Sequence, residues 1–77
     1  MKDKKTMKTI LVETLPIRLG QFLKLADMVQ DGIEAKIRII EGEVKVNGEV
    51  ELRRGKQLQH DDVVSLFDMQ AQVIHNK

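Results

Sequence analysis

The chain has 77 residues, 42% of them hydrophobic and 32% charged, which suits one small globular domain near the lower size limit for a single core. It has no cysteine and no run of about eighteen apolar residues, which excludes disulfides, thiolate zinc sites and membrane-spanning helices. Thirteen basic and twelve acidic residues give a net charge of +1, so any anion-binding surface must depend on where the cations lie.

The N-terminal segment 1–7 is predicted to be a flexible basic arm, and residues 8–77 a single domain. The arm leads into only a short apolar stretch and lacks the apolar region of a secretory signal, so we expect a cytoplasmic location. Within the domain, residues 18–56 carry eight basic and seven acidic side chains, whereas residues 57–77 carry one and three. The C-terminal segment is therefore the least suited to phosphate contact.

The first predicted elements are a strand and a helix. The β-branched and apolar character of residues 8–13 predicts a short strand, and Pro16 interrupts it because proline has no N–H for a ladder. A helix is predicted to begin near Ile17 or Arg18. Gly20 inside it either costs about 1 kcal/mol relative to alanine or allows a close backbone approach. The apolar face of this helix has helical spacing and consists of Leu19, Phe22, Leu23 and Ala26.

A second helix is predicted from Gly32 to Glu41. Asp31 can cap its N-terminus, with Glu34 completing a capping-box-like arrangement, and Gly42 can supply the left-handed residue after its end. Lys36 falls between two apolar stripes of this helix, so its side chain either reaches the rim or faces a ligand that requires a cation.

A hairpin is predicted around the turn pair Asn47–Gly48, a strong short hairpin signal. A two-residue loop would place Val46 opposite Glu49. A three-residue loop, or a bulge, would instead place Val46 opposite Val50, so that apolar side chains share one face. We therefore expect the longer loop.

The remaining chain predicts two turns and buried β-structure. Residues 53–56 form a turn with three cations, and residues 60–62 form another. Val63–Phe67 is predicted to be a buried strand. Residues 69–74 either continue that strand or return as a last strand.

Several ordered blocks of this chain resemble the S-four-type RNA-binding domain (alpha-L motif), in its short stand-alone bacterial, YbcJ-like form. The resemblance spans Arg18 to Phe67, 50 of the 77 residues. The matching blocks are Leu19-Gly20-Gln21-Phe22-Leu23-Lys24, Glu34-Ala35-Lys36 with Ile40, Glu41 to Glu49, Arg53-Arg54-Gly55-Lys56, Leu58 and Asp62-Val63-Val64.

The resemblance implies an α+β fold with two helices packed on a small, mostly antiparallel sheet, a motif core at residues 18–67, and RNA held across the helices and the following turn. Two positions depart from the family pattern. Asp31, Gly32 and Ile33 stand where the family usually has Ser or Gly, and Asp61 stands where it usually has Gly. The extra carboxylate of Asp61 could weaken phosphate binding.

Arginine and lysine bind phosphate, and the guanidinium group does so in a fork. Arg53 and Arg54 are the strongest candidates, against the alternative of a solvated turn paired with Glu49 or Glu51. For Arg38, a helical ion pair with Glu34 is favoured over RNA contact. Asn47 could contact a ribose hydroxyl, although a turn explains it equally well. The full set of candidate RNA-binding residues is Arg18, Lys24, Lys36, Arg38, Lys45, Asn47, Arg53, Arg54 and Lys56.

The expected function is non-catalytic binding of structured RNA, ribosomal or otherwise folded. The two aromatic residues, Phe22 and Phe67, both lie at apolar positions, so stacking of single-stranded bases is poorly supported. We expect no cofactor, no metal, no DNA and no membrane partner, with ribosome or ribosome-assembly proteins as further partners. His60 with Asp61 and Asp62 is the weak alternative of an acid–base or metal cluster. The stronger alternative is a protein-binding adaptor in a ribosome-associated or RNA-processing complex.

Overall fold

Two helices pack on a mixed, mostly antiparallel sheet in the computed structural model, which describes residues 7–75. The predicted fold class is confirmed. No helix in this range is long and apolar enough to span a membrane. The elements are β1 (Met7–Val12), β2 (Ile17–Arg18), α1 (Leu19–Leu25), α2 (Gly32–Ile40), β3 (Val44–Val46), β4 (Glu49–Val50), β5 (Gln57–Leu58), β6 (Val63–Leu66) and β7 (Met69–His75).

The main sheet has five strands in the order β1-β7-β6-β3-β4, and β2 pairs with β5 in a separate two-stranded sheet. The β1–β7 pairing is parallel and the others are antiparallel. Met7, assigned to the flexible arm from the sequence, is the first residue of β1. The rest of that arm, residues 1–6, lies outside the described residues.

Alternation along the central strands gives the sheet one apolar face and one polar face. Val44 and Val46 of β3 are buried, whereas Lys45 between them is exposed. The buried side chains of β3, β6 and β7 form one core with those of the helices. The largest fully buried side chains are Phe22, Leu19, Leu23, Ile39, Leu58, Leu66, Val44, Val64 and Val73.

The first helix begins at Leu19, later than the predicted start at Ile17 or Arg18. Those two residues form β2 and pair with Leu58 and Gln57 of β5. Pairing with a strand distant in sequence therefore overrides the local helical pattern.

The second helix follows the local capping signals. The Asp31 side chain accepts a hydrogen bond from the Glu34 backbone N–H at 2.9 Å, and Glu34 accepts one from the Gln30 N–H at 2.8 Å. The helix ends at Ile40, one residue before the predicted end, and Gly42 adopts the left-handed conformation with φ of 78°. The predicted N-cap and terminal glycine are confirmed.

The expected three-residue hairpin loop is wrong. Val46 pairs with Glu49 across a two-residue loop in which Asn47 and Gly48 both have positive φ, 52° and 87°. That geometry matches the twist of the flanking strands, and it determines the register although it leaves Val50 exposed.

The predicted buried strand at residues 63–67 ends one residue early, at Leu66. Phe67 lies in the following turn with φ of 57°, and 62% of its surface is exposed. The prediction that it is buried is therefore wrong. Of the two alternatives for the last segment, the chain returns as β7, antiparallel to β6.

Candidate nucleic-acid interface

Three of the predicted site residues, Arg18, Lys24 and Arg54, line one surface cleft of about 440 Å³. Arg18 comes from the end of β2, Lys24 from α1 and Arg54 from the turn at residues 53–56. We name this turn the basic turn. We name this cleft the cationic cleft. Its remaining lining residues are Gly20, Gln21, Gly32, Ala35 and Gly55.

Backbone hydrogen bonds hold the basic turn against the start of α1. The Leu19 N–H donates to the Lys56 carbonyl at 2.8 Å, and the Gly20 N–H donates to the Arg54 carbonyl at 3.0 Å. The first N–H groups of a helix have no partner within the helix, so the turn satisfies donors that would otherwise need water. This docking brings Arg54 beside residues far from it in the sequence.

Gly20 is the residue that permits this close approach. A Cβ atom at Gly20 would lie 2.8 Å from Cγ and 3.4 Å from Cδ of Arg54. The aliphatic part of the Arg54 side chain therefore crosses α1 at a position where only glycine leaves room. Of the two interpretations that the sequence left open for Gly20, close approach is the one found.

The two adjacent arginines of the basic turn have different surroundings. Arg53 Nε lies 2.9 Å from Glu51 Oε2, and the Arg53 backbone N–H donates to the same oxygen at 3.0 Å. The hydrogen bond from Arg53 lowers the pKa of Glu51, and the same contact raises the pKa of Arg53. The ion-pair alternative thus describes Arg53. Among residues 7–75, Arg54, Arg18 and Lys24 have no carboxylate within 4.0 Å.

A second groove, of about 540 Å³, lies beside the cationic cleft. Arg53 and Lys56 line it together with Gln57 and Gln59. Gly55 is common to this groove and to the cationic cleft. The cations of the basic turn are therefore divided between two neighbouring depressions.

Lys36 is exposed and lies one helical turn after Gly32, which lines the cationic cleft. Residues four apart share a helix face, so Lys36 lies on the side of α2 nearest the cleft. Its reach into the cleft remains a prediction.

Arg38 is engaged within the protein. Its Nη1 lies 3.1 Å from Glu43 Oε1, its Nε lies 3.6 Å from Glu34 Oε2, and its guanidinium carbon lies 5.2 Å from the centre of the Phe67 ring. The contact with Glu34 is the helical pair that the sequence favoured. These contacts hold the guanidinium group beside two carboxylates, and the RNA-binding role of Arg38 remains a prediction.

Lys45 and Asn47 do not line the cationic cleft. Lys45 lines a groove on the polar face of the sheet together with Ser65 and Gln70. The Asn47 side chain donates to Asp62 Oδ1 at 3.1 Å and accepts from the Val63 N–H at 2.9 Å. The turn therefore uses both the NH2 group and the carbonyl oxygen of the Asn47 side chain.

The histidine and aspartates considered as a catalytic or metal cluster stabilise a loop. His60 Nδ1 accepts a hydrogen bond from the His75 N–H at 2.9 Å, and Asp62 Oδ2 accepts one from the Gln59 N–H at 2.8 Å. Within the described chain, no group of three His, Asp or Glu side chains is placed as metal ligands would be.

Five cleft-lining residues were not singled out from the sequence as site residues: Gly20, Gln21, Gly32, Ala35 and Gly55. The signal for Gly20 was present, because a glycine inside an amphipathic helix needs a packing reason. No comparable signal exists for Gln21, whose place in the cleft follows from the docking of the basic turn.

The family model described as S4 domain matches residues 10–74. The chain belongs to the S4 domain family. The resemblance noted from the sequence is confirmed, and the match extends beyond the blocks that carried it.

Individual relatives share most of the chain. Over 57 residues it is 51% identical to the "probable ribosome maturation protein RlbA" of Bacillus subtilis (strain 168), covering 74% of this chain and 80% of that protein. Over 58 residues it is 38% identical to YbcJ of Escherichia coli (strain K12), covering 75% and 83%. The solution structure of YbcJ superposes with a TM-score of 0.71 and 33% identity over 96% of this chain and 95% of YbcJ. That structure is described as revealing an alpha-L motif involved in RNA binding.

Proposed function

We propose that this S4 domain protein binds structured RNA without catalysis, through phosphate contacts made by Arg18, Lys24 and Arg54. The proposal rests on the docking of Arg54 across Gly20: Arg18, Lys24 and Arg54 line one cleft, and none of them has a carboxylate within 4.0 Å among residues 7–75. An almost neutral chain can thereby present a locally positive surface.

The chemistry of the cleft fits a polyanion. Two guanidinium groups and one ammonium group supply charge-assisted hydrogen bonds to phosphate oxygens. Such contacts supply affinity without sequence information, and they weaken as salt rises because bound counterions are released. The descriptions of YbcJ and RlbA as RNA-binding and ribosome-maturation proteins support RNA, ribosomal or otherwise folded, as the ligand and a cytoplasmic location.

Folded RNA fits better than a single strand. Phe22 is fully buried, and no aromatic residue of the described chain lines the cationic cleft. Phe67 is exposed, but it lies against Arg38 rather than in the cleft. Recognition through phosphates, ribose hydroxyls and helical shape needs no stacking platform.

The proposed interface extends from the cleft to its neighbours. Lys36, Arg53 and Lys56 are flanking contacts, since they lie on the adjoining face of α2 and in the groove beside the cationic cleft. Engaged or distant residues are left outside the proposed interface: Arg38, Lys45 and Asn47.

The test is a titration of the ¹⁵N-labelled full chain with an RNA hairpin and with an unpaired RNA of the same composition. We expect the hairpin to bind more tightly and to shift amide signals of residues 18–24 and 53–56. The Lys45→Ala variant, which loses one charge from the polar face of the sheet, should bind like the parent. Shifts confined to the sheet, or equal binding of the unpaired strand, would contradict the proposal.

A further inference from the structure

The second helix leaves an apolar stripe uncovered. Ile33, Ile37 and Ile40 are exposed by 72%, 49% and 59%, while Ala35 and Ile39 provide the buried face of the same helix. Burying an isoleucine side chain contributes about 1.5–3 kcal/mol, so three exposed isoleucines on one short helix are unfavourable unless a partner covers them.

Two of these isoleucines border a groove of about 670 Å³ between α2 and the loop that precedes it. Met28 and Val29, both nearly buried, add to its apolar lining. We name this depression the isoleucine groove. The cationic cleft is lined by Gly32 and Ala35, so the two depressions use different sides of α2.

The charges around the isoleucine groove are mainly negative. Asp27, Asp31 and Glu34 line it, and Arg38, the one cation that lines it among residues 7–75, lies close to the carboxylates of Glu34 and Glu43. Phosphate would be repelled here. A second copy of the chain would bring the same carboxylates together across the contact, which disfavours self-association.

We infer that the isoleucine groove docks a basic segment of a partner protein that inserts aliphatic side chains between Ile33 and Ile37. Lysine or arginine side chains of such a segment would pair with Asp27, Asp31 and Glu34, while its aliphatic side chains would cover the apolar stripe. The inference does not depend on the RNA proposal, because it uses a different side of α2 and the opposite charge. Together, the two surfaces would allow the domain to hold RNA and a basic protein at once.

The probe is a synthetic amphipathic peptide of lysine and leucine, compared with one in which glutamate replaces lysine and one in which serine replaces leucine. We expect the lysine–leucine peptide to bind the full chain about tenfold more tightly than either counterpart and to shift the amides of residues 27–38. The double variant Ile33→Ser with Ile37→Ser should lose about tenfold in affinity. The matched control Val50→Ser with Leu52→Ser, which removes two exposed apolar side chains of the hairpin region, should bind like the parent.

Four results would overturn the inference. Equal or tighter binding of the glutamate–leucine peptide would show that the positive charge of the lysine–leucine peptide does not strengthen binding. Peptide-induced shifts outside the groove, or unchanged affinity in the isoleucine variant, would place the contact elsewhere. A concentration-dependent dimer of the parent that the isoleucine variant abolishes would show that a second copy covers this face. The serine substitutions lie at exposed positions, so we expect the variant to remain folded. An unchanged amide spectrum outside the groove verifies this.

Discussion

The side chain of Arg54 crosses α1 at Gly20, where a Cβ atom would come within 2.8 Å of Arg54 Cγ. The Gly20 N–H also donates to the Arg54 carbonyl at 3.0 Å. One glycine therefore provides both the space for this arginine and a hydrogen bond that holds its backbone. The position of the cation depends on a residue that carries no charge.

We predict that Gly20→Ala weakens RNA binding several-fold, a loss of about 1 kcal/mol, because the added methyl group must displace the Arg54 side chain. The measurement is the Kd for an RNA hairpin, together with the unfolding midpoint of each variant. Gly32→Ala is the matched control: Gly32 lines the same cleft at the start of a helix, and a Cβ there meets no atom within 4 Å. Equal affinities of the two alanine variants would show that the Gly20 contact does not position Arg54 for binding.

The two arginines of the basic turn should differ in their effect on RNA binding. Arg54→Ala should weaken binding roughly tenfold and make the slope of log K against log salt shallower by about one unit. Arg53→Ala should do less, because Arg53 is already paired with Glu51. Each variant loses one positive charge. The comparison therefore separates the effect of a direct phosphate contact from that of the overall electrostatic field. A larger effect of Arg53→Ala would reverse the assignment.

Asn47 should matter for stability rather than for RNA binding. Asn47→Ala removes both side-chain hydrogen bonds and places alanine at a φ of 52°, which together should cost about 1–3 kcal/mol in the free energy of unfolding. Asn47→Gly loses the hydrogen bonds but accepts this φ, so it should be destabilised less. Urea denaturation measures the free energy of unfolding of both variants. A weaker RNA affinity in a variant that remains folded would show that Asn47 belongs to the interface.

The Glu51–Arg53 contact predicts a pH dependence of stability. The pKa of Glu51 is lowered in the folded protein from its ordinary value of 4.5, so its contribution to stability is present above that pH and is lost as the pH falls below it. In Glu51→Gln this contribution is absent at every pH. The difference in the free energy of unfolding between parent and variant should therefore be constant near neutral pH and diminish below about 4.5. A difference that stayed constant through this range in urea denaturation would contradict the assignment.

Local chemistry made part of the fold predictable. Asp31 and Gly42 delimit α2 because capping depends on neighbours a few residues away. The hairpin register was missed because the preferred backbone geometry of Asn47–Gly48 outweighs apolar pairing, and the exposure of Val50 is the result. The exposure of Phe67 was missed for a related reason. The turn after β6 places this residue outside the alternating pattern of the strand.

The candidate site was predictable in residue type but not in geometry. Arg18 and Arg54 line one cleft because backbone hydrogen bonds join the basic turn to the start of α1, and such docking leaves no periodic signal in the sequence. Arg53 and Arg54 are identical and adjacent, yet only the folded chain shows which of them Glu51 pairs with. The exposed stripe on α2 was equally hidden, because helical spacing alone cannot distinguish a buried apolar face from an uncovered one.

We propose that Arg18, Lys24 and Arg54 act together as phosphate contacts. The most direct test is the salt dependence of RNA hairpin binding by the parent, by the variant with all three residues changed to alanine, and by Lys45→Ala. The triple variant should have a slope of log K against log salt that is shallower by about two to three units, while Lys45→Ala keeps the slope of the parent. An unchanged slope in a folded triple variant would show that these three residues do not contact phosphates.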